Sequence, residues 1–203
     1  MHTYVTQFVM AYHAEQDHLR ALLPEGFESL RPVLRINAEI RRGRKDTIYL
    51  ELNTPVAGFG KRGWLNIANW ESPETDISCK TAKNATVFRA PFLEICFTRL
   101  GKTGGCPAES DNDGCFFPCD TVKFRPAERI DQNKEFCSCK FAWKFDENSA
   151  YGASTGGTSI VAMPTEPKQR YDRQALTAPN AAAIPCGQIL GAYAVSFVRI
   201  VQE

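Results

Sequence analysis

The sequence predicts a mainly β fold of the α+β class: an antiparallel, partly closed β-barrel with a few short flanking helices. Three observations lead there. Apolar and polar residues alternate with period 2 in one short segment after another, as they do along half-buried strands. Gly, Pro and Asn clusters separate these segments at hairpin spacing. Helical periodicity is confined to short stretches, the clearest of them between Tyr12 and Gly26, so strands must build most of the core. A length of 203 residues suits one domain, 1–203, with enough chain to bury a substantial interior.

Tyr4 to Ala11 alternates and reads as the first strand. A helix follows, in which Leu19, Leu22 and Leu23 form an i, i+3, i+4 stripe. Glu15 and Asp17 lie where the helix dipole favours negative charge, and Pro24 and Gly26 end the helix. Pro32 opens a strand over Val33 to Arg41 with two unlike faces. Leu34, Ile36, Ala38 and Ile40 make one face wholly apolar; Arg35, Asn37 and Glu39 make the other polar. The basic run Arg41 to Lys45 surrounds Gly43 and reads as a hairpin turn into Thr47 to Asn53.

Gly58, Gly60 and Gly63 mark the next turn. Trp64 to Trp70 then places Trp64, Asn66, Ala68 and Trp70 on one face, against Leu65, Ile67 and Asn69. Thr86 to Phe88 and Phe92 to Thr98 are strands parted by Pro91, and Asp120 to Phe124 is a shorter one. Between Phe136 and Phe145 the odd positions Cys137, Cys139, Phe141 and Trp143 form an apolar face. Ser149 to Thr158 reads as a small-residue loop, Arg170 to Ala183 holds a short helix, and Ala192 to Val201 ends the β-rich part. A barrel turns alternate side chains toward its lumen, so the polar face of the second strand is where a small-molecule ligand is expected.

Composition excludes several classes of function. The net charge is +1 and the basic residues are scattered, so nothing favours nucleic acid. No apolar run approaches the ~20 residues of a membrane-spanning helix. The first residues, Met1 to Gln7, show neither a charged nor an apolar signal region, so no signal peptide is read. Eight cysteines without a secretion signal point to reduced thiols and a cytoplasmic protein.

Residues 12 to 40 resemble the start of the acetoacetate decarboxylase family, in which a tyrosine, a Leu-Arg helix, a Pro stop and a Pro-x-x-Arg strand follow one another. Tyr12, Leu19, Arg20, Pro24, Phe27, Glu28, Pro32 and Arg35 stand in those places. Tyr49-x-Glu51, followed by Pro55-Val56, is similar to the family's next motif with a shorter spacing. The likeness covers about the first third of the chain.

It implies a lysine that forms a Schiff base with a small oxo-acid, its amine activated by burial or by a neighbouring cation. The family's adjacent lysine pair has no counterpart, since the chain holds no Lys-Lys dipeptide; counting on from Glu51, the nearest amines are Lys80 and Lys83. The resemblance puts the family's first-strand arginine at Val5 and an acid at Asn37, where Glu39 on the same face can substitute. Glu51 is the retained acid. The expected catalytic residues are therefore Lys80, Lys83 and Glu51, and the expected ligand-binding residues Arg35, Asn37, Glu39 and Tyr49. With Val5 apolar and two glutamates in the lumen, a neutral or cationic ligand and weak acetoacetate decarboxylation are expected.

Two further clusters carry less. Cys106, Cys115 and Cys119, with Cys137 and Cys139, lack paired C-x2-C spacing, so buried thiols are expected in place of a metal centre. Glu109, Asp111, Asp113, Gly114 and Asp120 match a calcium loop only in part, and an acidic turn is expected. His2, His13 and His18 complete no catalytic triad. The leading expectation is a divergent acetoacetate decarboxylase-like protein with a small-molecule pocket and no cofactor, able to pair with its own kind and acting, if as an enzyme, as a lyase. The alternatives are a non-catalytic ligand-binding protein of the same fold, or a protein stabilised by metal at its cysteine-rich loop.

Overall fold

The structure is a computed structural model that describes residues 2–105, 113–118, 124–145, 151–154 (backbone only), 176–184 and 186–200. Among them lie β1 His2–His13, α1 Gln16–Leu22, β2 Phe27–Ser29, β3 Val33–Arg42, β4 Thr47–Gly58 and β5 Lys61–Glu71. Then come β6 Ser78–Ala82, β7 Ala85–Ala90, β8 Leu93–Gly104, β9 Cys115–Phe117, β10 Arg125–Pro126 and β11 Lys134–Trp143. β12 Tyr151–Ser154, α2 Ala178–Ala182 and β13 Gln188–Ile200 complete the order.

One sheet holds all the strands, in the order β10-β9-β5-β4-β3-β1-β13-β11-β8-β7-β6, with β12 beside β11 and β2 beside β4. Its pairs are antiparallel except β5 with β9, and its path does not return on itself. The mainly β class read from the alternation holds, with the sheet mixed and open along its hydrogen bonds. β5 and β9 approach so closely that a Cβ at Gly63 would stand 2.2 Å from the carbonyl oxygen of Cys115, so only glycine fits there.

β1 lies between β3 and β13, and both its faces are buried. On one face Phe8, Met10 and Tyr12 join Leu34, Ile36, Leu50 and Leu52 in the main apolar cluster. Phe88, Phe97, Phe141 and Trp143 belong to the same cluster, and the Trp143 indole donates to the Tyr12 hydroxyl at 3.0 Å. Leu19 and Leu22 of α1 pack there as expected, but Leu23 joins a separate cluster with Phe27, Val56, Leu65 and Phe117. The chain has left the helix by Leu23, and Gly26 takes φ +89 to complete the stop.

Two further expectations are corrected. A bulge between Leu52 and Asn53 pairs Asn53 with Asn66 but Leu52 with Ala68. The extra residue flips the face, so Trp64 and Asn66 part from Ala68 and Trp70. The small-residue stretch expected to be a loop contains β12, whose backbone pairs with β11 over Cys139 to Ala142. The helix expected over Arg170 to Ala183 is α2, started by Thr177, whose hydroxyl accepts from the Asn180 amide at 3.3 Å. Of the strand expected over Asp120 to Phe124, only Phe124 is described, and it is exposed. No helix among the described residues is long and apolar enough to cross a membrane.

Candidate functional site

The second face of the central strands is polar and lines a cavity of about 860 Å³. Strand register assembles it row by row. Gln7 stands beside Glu39 and Glu39 beside Tyr49; Val9 stands beside Asn37 and Asn37 beside Glu51; Arg35 stands beside Asn53. β13 adds Tyr193 and Arg199 to the lining, β5 adds Trp64, and β9, β10 and the segment after them supply the opposite wall, with Phe116, Arg125 and Glu128.

Glu39 is 3% exposed and fully paired. Its carboxylate accepts from Gln7 Nε2 at 2.9 Å, from Arg41 Nε at 2.6 Å and from both Arg199 terminal nitrogens at 2.9 Å. Burial pushes its carboxyl up, but Arg199 and Arg41 together outweigh burial and hold it below the ordinary range. Arg199 also grips Glu128 at 2.6 Å, tying the far wall to β13. Glu51 accepts from Asn37 Nδ2 at 2.6 Å, Asn53 Nδ2 at 3.0 Å and the Tyr49 hydroxyl at 2.9 Å. Burial first, and then the charge of Glu51, push the Tyr49 phenol up and keep it protonated. Arg41 lies flat on the Tyr49 ring, 3.7 Å from its centroid.

Arg35 differs from the other cavity cations. Its guanidinium lies 3.6 Å from the Trp64 ring centroid and the residue is 8% exposed. Among the described residues it has no carboxylate partner, and its Nε is buried without a hydrogen bond. The Oδ1 of neighbouring Asn37 is likewise buried and unbonded. Its amide cannot usefully be turned over, because Nδ2 already donates to Glu51.

The structure thus gathers Arg35, Asn37, Glu39, Tyr49 and Glu51 around one cavity. It does not bring Lys80 and Lys83 there. Lys80 is exposed on β6, the far edge of the sheet, and Lys83 sits exposed in the β6–β7 turn at φ 51. Counting from Glu51 carried the register past the Trp70–Ser78 connection onto an edge hairpin, where solvated lysines discourage further pairing. Val5 lies in an apolar cluster with Val9 and Phe197, beside Arg41. The expected negative lumen is also corrected: five arginines and three glutamates line the cavity, and each glutamate has its own donors.

Several site residues escaped sequence reading. Arg41 looked like part of the basic turn but folds back onto Glu39 and Glu71. Gln7, a polar residue in an apolar strand, was the one visible signal on β1. Lys134 is 8% exposed, with Nζ 3.4 Å from the Ile130 carbonyl and 5.8 Å from the Tyr193 ring centroid; Ile130 and Tyr193 both line the cavity.

Among the described residues, Cys115 stands apart from Cys137 and Cys139. Cys115 packs with Leu23 and Phe117, while Cys137 and Cys139 lie in the main cluster. Burial pushes the Cys137 thiol up to about 12 and Cys139 well above its usual value, so both stay protonated at neutral pH. Asp113 of the acidic loop accepts from Arg62, at 2.8 Å from its amide and 3.0 Å from its side chain. Cys106, Cys119, Glu109, Asp111 and Asp120 lie outside the described residues. Among those described, no three His, Cys, Asp or Glu side chains group as a metal site.

No protein-family model matches the sequence, and no curated protein does. Solved structures do match. An acetoacetate decarboxylase from Legionella pneumophila aligns with TM-score 0.57 and 13% identity, over 97% of this chain and 83% of that one. The enduracididine biosynthesis enzyme MppR, complexed with pyruvate, aligns with TM-score 0.58 and 12% identity, over 97% and 86%. An acetoacetate decarboxylase-like enzyme from Sphingomonas wittichii aligns with TM-score 0.51 and 10% identity, over 97% and 89%. At these identities the likeness concerns architecture, and it spans nearly the whole chain where the sequence motifs covered a third: this chain has the acetoacetate decarboxylase-like fold.

Proposed function

We propose that this chain is a divergent acetoacetate decarboxylase-like protein, a single cytoplasmic domain that binds a small molecule in the polar cavity and does not decarboxylate acetoacetate efficiently. One observation carries the reading: a buried row of charged and amide side chains faces an 860 Å³ cavity, while Lys80 and Lys83 stand on the exposed edge hairpin. Fold alone does not settle chemistry, so the reading rests on what lines the cavity. An imine-forming amine must reach its ketone, and neither exposed lysine does. MppR, whose solved structure is a complex with pyruvate, supports a small ligand as the class of occupant.

The test is carbon dioxide release from acetoacetate, followed by borohydride reduction in the presence of a ketone. No release above the uncatalysed rate and no adduct on Lys80 or Lys83 are expected. Rapid turnover with an adduct lost in Lys80→Ala or Lys83→Ala would overturn the reading. A Schiff-base enzyme is the second reading, favoured by Lys134, the buried amine at the cavity edge. A borohydride adduct on Lys134, with turnover lost in Lys134→Met, would put it first.

A further inference from the structure

Resting on the reading of this cavity as a ligand pocket, we propose that residues 127–133 are a strap that gates it, and that Arg199 is the latch, joining Glu39 on the cavity floor to Glu128 on the strap. Topology sets the strap in place. It links β10 to β11, which stand seven strand spacings apart in the sheet, roughly 33 Å along its surface. The seven residues between them, even fully extended, reach less than about 30 Å. They bridge the two strands only because the sheet curls, so the strap runs as a chord across the open side of the curl. From there Ala127, Glu128, Arg129 and Ile130 line the cavity.

The strap is fastened lightly. At its start the Ala127 amide donates to the Gly114 carbonyl at 2.6 Å. Beyond that point, no backbone–backbone hydrogen bond among the described residues holds Glu128 to Asn133. Ile130 packs against the apolar cluster that contains Trp64 and Tyr193. The remaining tie is ionic. Arg199 Nε and Nη2 donate to Glu128 at 2.9 and 2.6 Å, while Nη1 and Nη2 donate to Glu39 at 2.9 Å. The two halves of this latch are unlike. Glu39 is buried and keeps Gln7 and Arg41 as donors. The Glu128 side chain is 37% exposed and, among the described residues, takes its hydrogen bonds from Arg199 alone. The latch therefore parts on the Glu128 side, where water replaces the lost bonds. Segments with exposed side chains and few backbone hydrogen bonds open locally at little cost. Opening lifts Ile130 from the cluster around Trp64 and uncovers the cavity floor.

The experiment labels the full chain with fluorotryptophan and adds a neutral nitroxide, which broadens the fluorine signals it can reach. The chain has three tryptophans, and Trp64→Phe and Trp70→Phe assign their signals. Trp64 lines the cavity, and Trp143, in the main apolar cluster, is the internal reference. Glu128→Gln should raise the broadening of Trp64 roughly two- to fivefold, the worth of a partly exposed ion pair, with Trp143 unmoved. In the wild-type protein, raising sodium chloride from about 0.05 M to about 0.5 M should do the same by screening, and it should add nothing in Glu128→Gln. Asp131→Asn breaks an exposed ion pair within the strap and should change neither signal. Trp64 unmoved by Glu128→Gln or by salt would overturn the proposal. So would broadening that rises equally at Trp143, or as much in Asp131→Asn. A second arm screens a panel of small acids, alcohols and amines for shifts of the Trp64 signal. A ligand that exchanges with the cavity faster in Glu128→Gln than in the wild-type protein supports the gate. A ligand that exchanges at the same rate in both would overturn the gate and leave the pocket reading standing. No ligand at millimolar concentration, with Trp64 responding as expected, would leave the strap and latch standing and remove the pocket reading.

Discussion

Along β3, Leu34, Ile36 and Ala38 turn to the main apolar cluster, while Arg35, Asn37 and Glu39 turn to the cavity. All six are buried, none more than 8% exposed. The apolar row needs only shape: each side chain removed from water contributes on its own, at about 25 cal/mol per Å². The polar row needs partners. Glu39 takes hydrogen bonds from three side chains on β1, β3 and β13, and Glu51 takes three more. Such a network replaced by well-packed apolar side chains is often neutral or stabilising. Stability therefore explains one face of the strand and not the other, and the polar face, which lines the cavity, is the one on which the proposed ligand site rests.

The comparison breaks most visibly on the apolar side. Phe8 packs its ring 5.5 Å from Phe88 and 5.1 Å from Phe97. Phe8→Ala should cost about 3–5 kcal/mol in urea unfolding; a cost below about 1 kcal/mol would mean that this face does not hold the fold together. On the polar side Arg199→Met should cost about 2–3 kcal/mol, less than for a fully buried pair, because Arg199 is 24% exposed and Glu39 keeps Arg41 and Gln7. A double-mutant cycle with Glu39→Gln should show coupling of about 0.5–3 kcal/mol, and additive losses would dissolve the network.

A smaller difference lies in the pH response. The Glu39 carboxyl is held below its ordinary value of 4.5 in the folded protein. Its contribution is present above the unfolded value and is lost as pH falls through the folded one. Thermal melts should therefore show the wild-type protein losing stability more steeply below pH 4.5 than Glu39→Gln does. Equal slopes would mean that the Arg199 and Arg41 contacts do not hold in solution. The smallest effect belongs to the edge: Lys80→Ala should change stability by no more than about 0.5 kcal/mol and leave the affinity for any cavity ligand unchanged. A lost ligand there would relocate the site.

Much of this was legible in the chain because it is local. The i, i+3 leucines of α1, the stop at Gly26 and the opposed faces of β3 follow from backbone periodicity, which each segment carries within itself. The same alternation marked Arg35, Asn37, Glu39, Tyr49 and Glu51 as residues sharing one surface, and they do. Periodicity failed where it was interrupted. The bulge opposite Leu52 and Asn53 sends Trp64 to the cavity and Trp70 to the apolar cluster, and a single extra residue reverses every later side chain on the strand.

What the sequence by itself determined is the mainly β class and the two-sidedness of β3, since each rests on neighbours a few residues apart. Only the tertiary structure decided which charges cancel. Glu39 and Arg199 lie 160 residues apart and meet because β1 separates β3 from β13 and the long Arg side chain reaches across it. Strand order likewise brings Glu128 against Arg199, sets Arg35 over Trp64 and puts Lys80 on the edge strand β6. Coulomb interactions depend on separation in space, and strand order, which no single segment encodes, sets that separation.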